Sequence, residues 1–555
     1  MYEALRDHQR WVLPEVLAYQ ARVRGGQTFV TTTDGDILKY AEAEAQAAKV
    51  AGFFAGLGVG PGDTVAVMLP NGLDYVRAWL GLGRLGAILV GINTGLKGAF
   101  LEHQLRNCGA KVALFHSSHL PVLCEIASQL PDLCTVVVAG DAAPAPLPAP
   151  SITLPNATAD IGDRWHTLAL DAWRMAAPYD GPLPAAKDIA GMMYTSGTTG
   201  PSKGVLLPHA HAYLFGLGYI DNHAVTERDI YYITMPLFHV NGLYIQLYST
   251  LIAGASAVLR PRFSASAWLP DVRQYRATIT NLLGAMTAFI FATPPSPADR
   301  DHGLRVVHSA PNPPEHEQIW RERFGLPEVL SAFGMTESNI CVYGKMGETQ
   351  RGRCGRVYER YFEVEIHDPE TDEAVPPGAV GEIVVRPRVP FGFMAGYYKM
   401  PEKTVEAWRN LWFHTGDAAT MDANGYLTFV DRMKDCIRRR GENISSFEVE
   451  TAIGRLKGVK EVAAYAVPAA GPGAEDEVML AVVPLPGCPL DAPAIARFAE
   501  RELPRFAQPR FIDVIADLPK TPTARVQKAE LRRRGVTPST WDRETQAVVG
   551  QDAIL

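Results

Sequence analysis

The chain has 555 residues, more than one ordinary domain holds, and its 47% hydrophobic and 20% charged content exclude an intrinsically disordered protein. A formal net charge of −7 without a basic domain leaves no electrostatic footprint for nucleic acid. Seven cysteines without a CxxC pair argue against a disulfide framework or structural zinc, the charged N-terminal segment lacks a secretion signal's apolar core, and no run reaches the roughly 18 apolar residues of a membrane span; a cytoplasmic enzyme is expected.

From about Val65 onward, short apolar runs alternate with segments of helical period, the pattern of parallel sheets with crossover helices. TVAVML (64–69) reads as a strand, DYVRAWLGLGRLG (74–86) as a helix and AILVGIN (87–93) as a second strand; AKVALFH (110–116) and CTVVVAG (134–140) continue the alternation. The Pro/Ala-rich stretch 142–151 is expected to be a surface loop. DIAGMMYTSG (188–197) reads as a buried strand that feeds a loop, with a helix beginning near His209.

That loop, TSGTTGPSKG (Thr195 to Gly204), crowds hydroxyls, glycines and one lysine together. Thr195, Ser196, Thr198, Thr199 and Ser202 supply donors, Gly197, Gly200 and Gly204 let backbone N–H groups approach an anion, and Lys203 adds a point charge. A polyphosphate is the ligand such a loop suits. It is not GxxxxGK[ST], because Gly204 rather than a hydroxyl follows the lysine.

Further units are ATITNLLG (277–284), LRVVHSAP (304–311) and PEVLSAFGMTES (327–338), each an apolar run ending in small or hydroxyl residues. Open α/β sheets place ligands at the carboxyl ends of their strands, so the chemistry is expected there. Beyond Asp431 a basic, glycine-containing segment precedes a helix (446–456), strands EVAAYAVP and EVMLAVVPL, a helix (493–501) and strand RFIDVI, the outline of a small α+β unit of about 120 residues.

The loop, MPLFHVNG (235–242), AFGMTES (332–338), FHTGD (413–417) and VDRMKDCIRRRGENIS (430–445) resemble, in this order, the motifs of the adenylate-forming superfamily: acyl-CoA synthetases, luciferases and peptide-synthetase adenylation domains. The resemblance covers nearly the whole chain and looks closest to bacterial acyl-CoA synthetases of the carnitine/crotonobetaine:CoA ligase-like group. It implies an α/β fold, with a large N-terminal domain of mostly parallel βα units (1–430), a hinge (431–434) at Lys434, and a small mobile α+β C-terminal domain (435–555). It implies ATP, Mg²⁺ and coenzyme A as cofactors, a carboxylic acid as the small-molecule partner, no nucleic-acid partner and room for a homodimer.

Residue by residue, the resemblance implies an ATP/AMP site of Thr195, Ser196, Gly197, Thr198, Thr199, Gly200, Lys203, Ala310, Phe333, Gly334, Met335, Thr336, Asp417 and Arg432. Phe333 stands where tyrosine is common and is expected against adenine, Thr336 at the α-phosphate, Glu337 on Mg²⁺, and Asp417 and Arg432 at the ribose. His239, Asn241, Ser309 and Gly334 are expected at the acyl group; Arg438, Arg440, Gly441 and Glu442 at CoA. Lys203, Thr336, Glu337 and Arg525 carry the expected catalytic roles.

Arg525 is a departure, because LPKTPTARVQKAEL (518–531) has Ala-Arg where the resembling motif has Gly-Lys. A planar guanidinium does not replace a compact ammonium geometrically. Three readings follow: Arg525 performs the role with altered geometry, Lys520 or Lys528 reaches in, or adenylation is impaired. The leading reading of function is an ATP-dependent carboxylic acid:CoA ligase acting through an acyl adenylate. The alternatives are transfer of the acyl group to an amine or carrier protein, and an adenylate-binding protein with impaired catalysis.

Overall fold

Strands that are apolar at every position need cover on both faces, and that requirement organises the larger part of the chain. In the computed structural model, which describes residues 1–140, 164–195, 202–310, 312–326, 328–432, 437–439, 442–444, 446–468, 476–503, 507–521 and 526–549, an eight-stranded sheet runs in the order Gly396–Tyr397, Lys203–Pro208, Ile189–Thr195, Ile88–Gly91, Thr64–Met68, Val112–His116, Thr135–Ala139, His166–Ala169. Its strands are parallel from Ile189–Thr195 onward, and the first two attach antiparallel. Val65 and Val67 face one apolar cluster, while Ala66 and Met68 face another on the opposite side.

A seven-stranded sheet has the order Val329–Leu330, Val306–Ala310, Ile279–Leu283, Ile230–Ile233, Ser256–Leu259, Thr28–Thr32, Ile37–Lys39, parallel except for the last pair. Its faces also alternate: Tyr231, Ile279 and Val306 join the central cluster, and Tyr232, Leu282 and Val307 join an outer one with Trp268 and Trp320. The helix His209–His223 is buried along almost its whole length and belongs to the central cluster shared by the sheets. Most of its residues are apolar or small, and the buried His209, His211, Asn222 and His223 each have a hydrogen-bond partner.

A third sheet, wholly antiparallel, follows the order Ala332–Met335, Asn339–Tyr343, Gly355–Val357, Tyr426–Arg432, Trp412–Met421, Val380–Pro387, Phe362–His367. The sequence reading did not separate this layer. The run 327–338, read as one unit, splits at Ser331: Val329–Leu330 pairs in the parallel sheet and Ala332–Met335 in the antiparallel one. Local periodicity cannot register a strand that changes sheets.

The C-terminal part has its own five-stranded sheet, Val459–Pro468, Asp476–Pro484, Phe511–Val514, Trp541–Asp542, Ala547–Val548, with separate apolar clusters on its two faces. The helix Ala492–Glu502 packs on it, capped by Asp491, whose carboxylate accepts from Ala494 N–H at 2.7 Å. The helix expected over 446–456 closes earlier, at Ile453, before Gly454. The Asp431 carboxylate accepts from Ser446 Oγ at 2.5 Å and from Phe447 N–H at 3.3 Å, joining the third sheet to the first turn of that helix. The Pro/Ala-rich stretch 142–151 lies outside the described residues.

Candidate active site

Two hairpin tips meet at the edge of the eight-stranded sheet. The first is formed by Ile189–Thr195 and Lys203–Pro208, which pair antiparallel with Thr195 opposite Lys203, so the strands return both ends of the polar loop to one place. Ser196, Gly197, Thr198, Thr199 and Gly200 lie outside the described residues. Gly204 lies within the second strand, where a Cβ would fall 2.6 Å from Met192 Sδ. Close packing, rather than an inward-turned N–H, is what requires glycine at Gly204.

The second tip is Thr336-Glu337-Ser338, between Ala332–Met335 and Asn339–Tyr343. Asn339 closes it in the left-handed region at φ 68°, a conformation asparagine tolerates better than most residues. Gly334 lies in the approaching strand, where a Cβ would meet Asn339 O at 2.3 Å and Ile340 Cα at 2.6 Å. Phe333 stacks on Phe429 with ring centres 6.3 Å apart, and Met335 pairs with Asn339.

Glu337 links the tips. Its side chain is 4% exposed, and its Oε1 accepts from Thr195 Oγ1 at 3.2 Å and from Tyr397 OH at 3.1 Å. Lys203 Nζ lies 3.9 Å from the centre of the Tyr397 ring, a cation–π contact. Burial lowers the Lys203 pKa and the nearby Glu337 charge opposes that shift; burial followed by the same charge raises that of the Tyr397 hydroxyl. The carboxylate thus binds a hydroxyl and a phenol, and the ring of that phenol carries the ammonium.

His211 holds the hairpin from behind. Its Nε2 lies 2.9 Å from Thr336 O and its Nδ1 3.0 Å from Gly392 O, while Asn339 Nδ2 donates to His211 O at 2.9 Å. Burial lowers its pKa to about 4, so the ring is neutral at physiological pH and carries one N–H; with Asn339 Nδ2 3.3 Å from Nδ1, that proton sits on Nε2 and goes to Thr336 O. Met394 N–H donates to Glu337 O at 3.1 Å, tying the same tip to the chain leading into Tyr397.

The FHTGD segment forms a bulge in the third sheet, where the register shifts between Glu382 and Val384. Gly416 takes φ 72° and donates its N–H to Glu382 Oε1 at 2.8 Å. Asp417, 8% exposed, follows it and donates its backbone N–H to Thr415 Oγ1 at 3.1 Å. Its cross-strand partner is Arg432. Asp417 and Phe333 therefore lie in one sheet, with three strands between theirs, and Phe333 reaches back to Phe429 on the strand next to Asp417's.

The MPLFHVNG segment is held by Asn71, whose Nδ2 donates to Met235 O at 2.9 Å and whose Oδ1 accepts from Leu237 N–H at 2.8 Å. His239 is exposed, and desolvation by the protein around it lowers its pKa. Its Nδ1 accepts from Asn241 N–H at 3.2 Å, which places the ring proton on Nε2. Asn241 opens a π-helix, Asn241–Leu247, a rare geometry found mostly at functional sites.

Ala310 ends its strand opposite Leu283. Ser309 Oγ lies 3.2 Å from Thr287 Oγ1, and its register partner Leu282 belongs to the outer cluster, so Ser309 faces away from Asn281 and the central cluster.

In the C-terminal part, Arg438 and Glu442 lie on the ribbon Ile437–Arg439/Glu442–Ile444, while Lys434, Arg440, Gly441 and Arg525 lie outside the described residues. Arg439 between them is 3% exposed, pairs with Glu477 at 2.7 Å and donates to Gln508 O at 3.0 Å. It serves the core. Lys520 pairs with Glu461 at 2.7 Å, and Lys528 with Glu450 at 2.7 Å and with Ser446 Oγ, so both lysines are engaged within the C-terminal part.

Tyr397, His211 and Asn71 were not found by the sequence reading. Gly396-Tyr397-Tyr398 carries no periodic signal, and a histidine within an apolar helix or an asparagine before a helix reads as ordinary. Only the meeting of distant segments gives them roles.

An α/β molecule with a parallel-sheet core returns both ends of a hydroxyl- and glycine-rich loop to the neighbourhood of a buried glutamate, and its architecture is that of adenylate-forming enzymes. The AMP-binding enzyme family matches residues 17–398, and its C-terminal domain matches residues 448–525. The chain is 30% identical over 505 residues to the crotonobetaine/carnitine–CoA ligases of Salmonella heidelberg (strain SL476) and Salmonella typhimurium (strain LT2), covering 89% of this chain and 92% of theirs. Among solved structures it resembles the anthranilate CoA ligase AuaEII in complex with anthranoyl-AMP (TM-score 0.81, 26% identity, 94% of this chain and 97% of that one). It also resembles ATP-bound MatB from Rhodopseudomonas palustris (TM-score 0.78, 26% identity, 93% and 98%). The chain belongs to the AMP-binding enzyme family, among its adenylate-forming acyl-CoA ligases.

Proposed function

We propose that the enzyme joins a carboxylic acid to the α-phosphate of ATP, releases pyrophosphate, and passes the acyl group to the thiol of coenzyme A. The observation that carries this reading is the meeting of Thr195, Lys203 and Tyr397 around Glu337. The ends of the polar loop would bind the triphosphate there, with Lys203 holding the departing pyrophosphate. A half-buried ammonium beside a carboxylate keeps its place without reorganising as charge moves, the condition for effective electrostatic stabilisation.

Glu337 fits a hard cation. Both hydrogen bonds found go to Oε1, and Mg²⁺ takes one or two carboxylates and completes its shell with phosphate oxygens and water. Bound there, the ion would neutralise triphosphate charge. Thr336, fixed through its carbonyl by His211, would donate to the α-phosphate. Phe333 and Gly334 would meet the adenine, and Asp417 with Arg432 the ribose diol, a carboxylate being a strong acceptor for two hydroxyls. His239 and Asn241 would border the acyl group.

In the same reading the chain divides into a large domain (1–430), a hinge (431–434) and a mobile small domain (435–555). Adenylation and thiol attack need different groups at one carbon, which a swinging domain supplies in turn. Arg525 would serve the first pose. The ribbon bearing Arg438 and Glu442, with Arg440 and Gly441, would serve the second, with CoA phosphates meeting the arginines. That Lys520 and Lys528 are held in ion pairs of their own supports Arg525 rather than either lysine. The enzyme would work in the cytoplasm.

The test is AMP release from ATP over a panel of acids, with CoA and with amines as acceptors. CoA-dependent release is expected. CoA-independent amide formation as the main reaction would overturn the choice of acceptor. Saturable ATP binding without pyrophosphate release for any acid would overturn the adenylation step.

A further inference from the structure

Next to His239 lies a group of hydrogen-bonded amides. On the strand Ile230–Ile233, Tyr231 donates its hydroxyl to Asn281 Oδ1 at 2.5 Å. The Asn281 carboxamide also bonds the Tyr219 hydroxyl, and its Nδ2 lies 3.4 Å from Asn241 Oδ1. Gln246, five residues further along the π-helix, donates its Nε2 to the same Asn241 Oδ1 at 2.8 Å. Tyr231, Asn281 and Gln246 are fully buried, whereas Asn241 is half-exposed.

The consequence is a fixed polarity. With Oδ1 of Asn241 taken by two amide donors, its Nδ2 is the end left to donate. His239 behaves alike: its Nδ1 accepts from Asn241 N–H at 3.2 Å, so its free atom is Nε2–H. The exposed His239 ring and the partly exposed Asn241 carboxamide thus each keep a donor without a partner among the described residues. Gln246 Oε1 is buried and has no partner among the described residues. A wall meant for a plain hydrocarbon would not keep a pair of donors, because donors covered by apolar groups without a partner are unfavourable.

Resting on the reading of His239 and Asn241 as bordering the acyl group, we propose that the acid this enzyme activates carries an oxygen acceptor (a carbonyl, hydroxyl or ether oxygen) on its acyl body, bound by Asn241 Nδ2. Gln246 and Asn281 are positioning residues that hold the carboxamide with its NH₂ outward. His239 Nε2–H lies beside Asn241 and is left for the reacting carboxylate. A site built to donate to a substrate oxygen rejects the analogue lacking it far more strongly than a hydrophobic pocket rejects one methylene.

The experiment measures acid-dependent ATP–pyrophosphate exchange with matched acids: 4-oxopentanoate against pentanoate, 5-oxohexanoate against hexanoate, and 3-hydroxybenzoate against benzoate. In the wild type, kcat/KM for the oxygen-bearing member of at least one pair exceeds that of its partner by about 10- to 100-fold. Asn241→Leu brings that ratio to near one, and so does the near-isosteric Asn241→Asp, which replaces the donor with an acceptor. Gln246→Met lowers the ratio mainly through KM for the oxygen-bearing acid. Ratios near one for every pair in the wild type, or a wild-type ratio in Asn241→Leu, overturn the inference and leave the adenylation reading standing. No exchange with any acid, in protein that still binds ATP, overturns the adenylation reading and this inference with it.

Discussion

Replacing Glu337 with glutamine isolates the charge at the centre of the site. The amide keeps an oxygen where Oε1 accepts from Thr195 at 3.2 Å and Tyr397 at 3.1 Å, so the hairpin tips stay joined, but both bonds lose their charged acceptor. A bond to a charged group is worth roughly 1 kcal/mol more than a neutral one, so thermodynamic stability is expected to fall by about 2 kcal/mol. The larger effect is on chemistry. Loss of one preorganised electrostatic contact to the reacting phosphates corresponds to about 3 kcal/mol of barrier, or roughly a hundredfold in rate. Glu337 is also the largest influence raising the Lys203 pKa against burial, so the variant's ammonium should titrate at lower pH and the alkaline limb of the exchange rate should move down. ATP–pyrophosphate exchange across pH, with thermal unfolding as the fold control, measures all three. Exchange within about threefold of wild type in a folded variant would refute the role assigned to this carboxylate.

Gly334→Ala places a Cβ against Asn339 O and Ile340 Cα, backbone atoms that cannot step aside, and should lower stability by about 3 kcal/mol and weaken AMP binding, read by urea unfolding and calorimetry. His211 has a pKa of about 4 in the folded protein against 6.5 in the unfolded chain. As pH falls below 6.5 the unfolded chain takes up the proton first, so stability present above 6.5 is lost toward pH 4; about 2 kcal/mol should go between pH 7 and 5, and His211→Gln should flatten the pH dependence of urea unfolding by that amount. Lys528→Met takes the ammonium from Glu450, a carboxyl whose pKa burial already raises, and leaves it the Ala464 N–H; unfolding free energy should drop by about 3 kcal/mol while exchange stays near wild type. Arg525→Ala should do the reverse, with exchange falling at least about tenfold at unchanged melting temperature; unaffected exchange would exclude a direct role for that arginine.

The sequence by itself determined the order of the motifs and, through alternating apolar runs, the parallel core. TVAVML and CTVVVAG are strands because β-branched residues with cover on both faces have few other stable arrangements. It marked Thr195 and Lys203 as the ends of a hydroxyl- and glycine-rich loop suited to polyphosphate, and it marked Glu337 and Asp417 only through the resemblance of AFGMTES and FHTGD to family motifs. Tertiary structure alone decided which of these marked groups meet. Thr195 and Glu337 are 142 residues apart, and Tyr397 joins them from a short strand that carries no period of its own. The same holds for the amides around Asn241. Asn281 and Gln246 are unremarked polar residues in the sequence, and only the packing of a strand against a π-helix turns them toward Asn241 Oδ1 and leaves its NH₂ to donate. Hydrogen-bond direction depends on the positions of both partners, and chain order supplies only one of them at a time.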